Sequence, residues 1–262
     1  MFMILITSVL FAYKLETPNN KIIINTPIQL KYYGGPVISN VKVVTIWWGG
    51  ASRVAYSSKL PQFYSGVTNS SWFKVLFQYN TSTQTIGIGS WVTSFDDRFA
   101  PKGALTDAQV QDRLVTLIKN GSVPSGSNDY YYAIHFAPGI AIDESCVKFC
   151  AYHNTINLNG SSIYYGVMPD LGTGGCIDGC GSNPSRFNNL CSVASHELAE
   201  AVTDPAVGLA TTYAPPLSWY DSKYGENADM CNGQQGKTLG SNGKYYTVQA
   251  TFSKKANKCV LK

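Results

Sequence analysis

A chain of 262 residues with 44% apolar and 13% aromatic side chains can bury one large core or two small ones. Only 14% of its residues are charged, against about 25% in ordinary domains, which excludes a charge-driven disordered chain. A net charge of +4 with no clustered basic run excludes nucleic acid as a partner.

The chain opens with an uncharged apolar stretch, Met1 to Tyr13. It is too short to span a bilayer, which takes about 20 residues, and has the size of a signal-peptide core. Residues 1–12 are expected to be a signal peptide, 13–32 an arm or short propeptide, and 33–262 a single domain. After signal removal no membrane span is expected. Sequons at Asn69, Asn80, Asn120 and Asn159 agree with export.

The β-branched and aromatic run from Val41 to Trp48 reads as a buried strand. Ser70 to Tyr79 reads as a helix and Thr85 to Phe95 as a strand or hairpin. Thr106 N-caps a helix with the apolar stripe Val110, Leu114, Leu117 and Ile118, which Asn120-Gly121 ends. Tyr130 to Phe136 and Ile163 to Met168 read as further strands. Asn189 to Asp204 reads as a helix that Pro205 stops. Helices and strands alternate, so the expected class is α/β or α+β, a mixed sheet with packed helices.

Seven cysteines lie in the C-terminal half: Cys146, Cys150, Cys176, Cys180, Cys191, Cys231 and Cys259. An oxidising compartment favours disulfides, although the Cys-x3-Cys spacings of 146/150 and 176/180 also suit zinc. The odd count leaves one thiol, assigned to Cys191 on the buried helix. Cys231 and Cys259 are expected to pair.

The helix around Leu190-Cys-Ser-Val-Ala-Ser-His-Glu-Leu-Ala-Glu-Ala-Val-Thr-Asp carries the chemistry. It is apolar or small on every face except at His196, Glu197 and Glu200, so it reads as buried. Burying an imidazole and two carboxylates requires compensation. His196 and Glu200 are one turn apart and point the same way, so a divalent metal between them would satisfy both. The spacing is that of the zinc-protease motif His-Glu-x-x-His with Glu200 in place of the second histidine. Zn²⁺ is the expected ion, with Mn²⁺ or Ca²⁺ as competitors for so carboxylate-rich a set. Glu226 is the favoured third ligand. Asp229 is placed behind it as an outer contact, and His153 and Asp204 are alternatives.

Several blocks, in order, resemble the phosphate-induced protein 1 / EXORDIUM-like family. They are Gly34-Gly-Pro-Val-Ile-Ser-Asn-Val with the strand that follows, Cys150-Ala-Tyr-His, Cys176-Ile-Asp-Gly-Cys, His196-Glu-Leu-Ala-Glu, and Glu226-Asn-Ala-Asp-Met-Cys. The same helix is similar to the active-site helix of zincins of the gluzincin type, with the departure at Glu200. The first resemblance implies a secreted, cell-wall-associated protein. The second implies a metal-dependent peptidase, in which the ion activates a water and Glu197 is the general base. Tyr220 and His153 are the candidate oxyanion donors, and a peptide or protein is the substrate. The alternative is a non-catalytic extracellular protein with a structural metal, binding cell-wall glycan or a receptor.

Overall fold

A computed structural model describes residues 12–14 and 30–262. Residues 1–11 of the expected signal segment and 15–29 of the expected arm therefore lie outside the described residues. In chain order the strands are β1 (Ala12–Lys14), β2 (Lys31–Tyr32), β3 (Lys42–Trp48), β4 (Ser90–Asp97), β5 (Tyr130–Phe136), β6 (Phe149–Leu158), β7 (Ser161–Met168), β8 (Trp219–Tyr220), β9 (Gln235–Leu239), β10 (Tyr245–Gln249), β11 (Thr251–Ser253) and β12 (Lys258–Val260). The helices are α1 (Leu60–Val67), α2 (Asp107–Lys119), α3 (Cys176–Gly179) and α4 (Arg186–Thr203).

The class is mixed α+β. The main sheet has five long strands and the short edge strand β1, in the order β1-β6-β7-β5-β3-β4. Strands β4, β3, β5 and β7 run parallel, while β6 is antiparallel to both β7 and β1. Alternation along β3 and β5 explains the layers. Val43, Trp47, Tyr131 and Ala133 face one core, which also holds apolar residues of α1 and α4. Val44, Ile46, Trp48, Tyr132, Ile134 and Phe136 face the other, shared with Val110, Leu114 and Leu117 of α2. Helices therefore cover both faces, as a buried parallel sheet requires.

Helix α2 begins where its chemistry says it should. Thr106 and Gln109 form a reciprocal capping box. The segment expected as a helix from Ser70 forms instead a 3₁₀ helix, Phe73–Tyr79. Of the strand or hairpin expected over Thr85 to Phe95, the structure forms a single strand, β4, parallel to β3. Among the described residues no helix is long and apolar enough to cross a membrane.

Three disulfides join Cys146–Cys176, Cys150–Cys180 and Cys231–Cys259, and Cys191 is a buried free thiol. The two Cys-x3-Cys motifs bond to each other rather than within themselves, which ties α3 to the start of β6.

Candidate metal centre

Every residue of α4 from Asn189 to Thr203 is buried, because the sheet lies under one side and β10 crosses the other. His196, Glu197 and Glu200 are 0% exposed. Three other elements close around them. Strand β6 brings His153, the turn after β8 brings Glu226 and Asp229, and β10 brings Gln249.

Glu200 stands at the centre. Its Oε2 is 3.1 Å from Nε2 of His196 and 3.7 Å from Nδ1 of His153. Its Oε1 accepts the backbone N–H of Asp229 at 2.9 Å. Asp229 Oδ1 lies 3.9 Å from His196 Nε2. His153 Nδ1 is 3.4 Å from Glu197 Oε2, and its Nε2 is 3.5 Å from Glu226 Oε1. The donor atoms form two groups that can hold a metal ion, His196–Glu200–Asp229 and His153–Glu197–Glu200. Within each, every donor is within 4.8 Å of the others.

The residues expected at the site are thus brought together, with different partners for two of them. Asp229, rather than Glu226, lies beside His196 and Glu200. The reason is the turn before the short 3₁₀ helix Asp229–Cys231. The Asp229 carboxylate accepts the N–H of Glu226 at 3.2 Å while its own N–H is tied to Glu200. This aims Asp229 at α4 and turns Glu226 toward His153. Asp204 caps the end of α4 and accepts the N–H of Ser218 at 2.8 Å, so it belongs to neither donor group. Tyr220 is half-buried, and its phenol pKa is raised by burial and by Glu226, Asp229 and Asp204, which places it beside the carboxylates.

Gln249 is a site residue that the sequence does not announce. Its Nε2 donates to the carbonyl of Ala228 at 2.8 Å, which leaves Oε1 facing Nδ1 of His196 at 3.0 Å. With the amide so placed, Nδ1 of His196 donates to Oε1, and Nε2 is the nitrogen that faces Glu200 and Asp229 and would present its lone pair to an ion there. The only hint in the sequence is an amide ending the apolar run Tyr245–Gln249.

Charge balance is the unusual property of this cluster. Five carboxylates, Glu197, Glu200, Asp204, Glu226 and Asp229, surround two imidazoles, and all but Asp229 are buried. Burial raises the carboxyl groups of Glu226 and Asp204 well above the usual range, and raises Glu197 as well. Burial opposes ionisation of Glu200 too, but His196 beside it holds its pKa down. Burial likewise opposes protonation of His196, yet Glu200 draws its pKa up to about 10. Among the described residues, Glu200 Oε2 and both carboxylate oxygens of Glu226 make no hydrogen bond. Buried polar atoms left without partners cost about 1–3 kcal/mol each, more when charged. The imidazole and carboxylate donors are of the type that binds a divalent cation, and such an ion would give these oxygens a partner beyond their histidine contacts.

The chain matches no known protein family, no curated protein and no solved structure.

Proposed function

We propose that this is an extracellular, disulfide-stapled protein whose fold is organised around a buried divalent-metal centre of the zinc class, and that it acts by binding rather than by catalysis. The observation that carries the reading is closure. His153, His196, Glu197, Glu200 and Glu226 have side chains 0–1% exposed, and Asp229 alone reaches solvent, at 12%. A catalytic ion keeps a coordination position open to substrate, whereas a structural ion is enclosed by its ligands. Three disulfides support the extracellular assignment. So does the resemblance to the EXORDIUM-like family, which suggests a cell-wall setting.

A ligand of saccharide type has a place to sit. A groove of about 350 Å³ is lined by Tyr130, Tyr132, Asn128, Asn159 and Ser162, with Leu158 at its wall. The half-buried ring of Tyr130 beside amides and hydroxyls supports the saccharide reading.

The second reading, a metallopeptidase acting on peptide or protein, is favoured by one feature: Glu197 directly follows the ligand His196, where a general base would stand. One experiment separates the two. Metal content and proteolysis are measured on the purified wild-type chain and on Glu197→Gln. The binding reading expects stoichiometric metal and no peptide hydrolysis from either protein. Hydrolysis by the wild type that Glu197→Gln abolishes would establish the peptidase instead.

A further inference from the structure

We propose that the cluster is a two-cation centre. A first subsite is formed by Nε2 of His196 with Glu200 and Asp229. A second is formed by Nδ1 of His153 with Glu197 and Glu200, so that the Glu200 carboxylate bridges the two. The inference rests on the metal reading above and extends it from one ion to a pair.

The two imidazoles are mounted in related ways. His196 Nδ1 is hydrogen-bonded to Gln249 Oε1 at 3.0 Å, and His153 Nε2 faces Glu226 Oε1 at 3.5 Å in an ion-pair contact that is not a hydrogen bond. Each turns its other nitrogen toward Glu200 Oε2, at 3.1 Å and 3.7 Å. Metal-binding histidines characteristically have the non-ligating nitrogen anchored like this, which fixes both tautomer and ring orientation. Glu200 Oε2 is fully buried and makes no hydrogen bond among the described residues. A buried carboxylate oxygen facing a ring nitrogen on either side has the position of a bridging ligand. Two complete donor groups that share only this residue follow from the same arrangement.

The donors are imidazole nitrogen and carboxylate oxygen, so the ions belong to the Zn²⁺ or Mn²⁺ class. In this arrangement Glu197 is a ligand, which explains why the structure holds it against His153 rather than beside His196.

The test is stoichiometry. The full-length chain is stripped with a chelator, reloaded with Zn²⁺, dialysed and analysed for metal per chain. The Mn²⁺-loaded chain is examined by electron paramagnetic resonance for an exchange-coupled pair. The wild type is expected to retain two ions and to show the coupled signal. His153→Gln and Asp229→Asn should each retain one ion and lose the coupling. Glu226→Gln keeps every ligand and the shape of the side chain, so it serves if His153→Gln fails to fold. It should weaken the second ion by about 10–100-fold and leave the first unchanged. A folded wild type that saturates at one ion overturns the pair and leaves the metal reading standing. A folded wild type that binds none overturns both. Two ions insensitive to His153→Gln and Glu226→Gln place the second one elsewhere and overturn the inference.

Discussion

At the scale of single residues, two buried polar contacts decide how this protein responds to its surroundings. Gln249 bridges β10, the Ala228 carbonyl and His196, and it is 0% exposed. Gln249→Leu keeps the bulk but frees the ring of His196 to turn. Metal affinity should fall by about 10–100-fold, read by competition with a chromophoric chelator, while the folded state persists once loaded. Unchanged affinity would remove Gln249 from the centre. His135 lies apart from the cluster, with Nε2 3.0 Å from the hydroxyl of Tyr64. Burial pushes its pKa down from 6.5 to about 3. The folded chain thus accepts only the neutral ring. The stability this contributes is complete above pH 6.5 and is lost as pH falls toward 3, by at most about 1.4 kcal/mol per pH unit. His135→Gln keeps a hydrogen-bonding group and removes the titration, so urea midpoints between pH 7 and pH 4 should fall less steeply than in the wild type. Equal slopes would show that His135 does not drive the acid limb.

At the scale of elements, the centre depends on how closely β6, β7 and α4 approach one another. His153 on β6 pairs across the sheet with Gly166 on β7, and Gly166 pairs in turn with Ala133 on β5. A methyl group on residue 166 would come within 2.8 Å of ring carbon Cζ of Tyr131 and would overlap its hydroxyl. Tyr131 is fully buried, and its phenol feels Glu197 and Glu200, so it lies under the site. Gly166→Ala should therefore cost about 1–3 kcal/mol by overpacking and weaken metal retention as well, read as thermal stability with and without Zn²⁺. A destabilisation identical in both conditions would confine the effect to the core. These elements differ in how legible they are in the sequence. Helix α2 is readable because its cap, apolar stripe and stop are all local. Helix α4 is readable because three ionisable groups interrupt a run with no polar face. Strand β6 is not readable: Phe149–Leu158 is almost wholly buried yet carries Cys, His, Asn and Thr, so neither alternation nor an apolar run marks it. Helix α1 escapes notice because it is only eight residues long and Lys59 at its N-cap makes no side-chain capping hydrogen bond, which leaves Pro61 in the first turn as its one start signal. The order of Glu226 and Asp229 around His196 depends on backbone hydrogen bonds of a turn, which spacing alone does not encode.

At the scale of the whole molecule, three disulfides brace the carboxylate-rich interior, and in the function proposed above a cation would be the second brace. Cys231–Cys259 ties the turn bearing Asp229 to the C-terminal hairpin of β11 and β12, closing a separation of 28 residues. In chain-entropy terms a loop of this size is worth about 3–4 kcal/mol. The double variant Cys231→Ser/Cys259→Ser should lose stability of that order by denaturant titration. It should lose more in the metal-loaded chain than in the presence of a chelator, because the same bond positions Asp229 and its removal would weaken the ion as well. A loss that does not depend on the chelator would mean the turn keeps its shape without the bond.

Cys150 and His153 share strand β6, three residues apart, and Cys150 is bonded to Cys180 at the end of α3. If the centre binds an ion as proposed, the redox state of that bond and the occupancy of the centre would be linked quantities. An ion that fixes His153 would also fix the strand that presents Cys150, so loading should make the disulfide harder to reduce, by the same factor that reduction weakens the ion. Thiol trapping at a fixed dithiol concentration should release the Cys150 and Cys180 thiols sooner from the chelated chain than from the loaded one. The protein would then shed its metal first where the surroundings turn reducing, and would hold it most tightly in the oxidising space outside a cell.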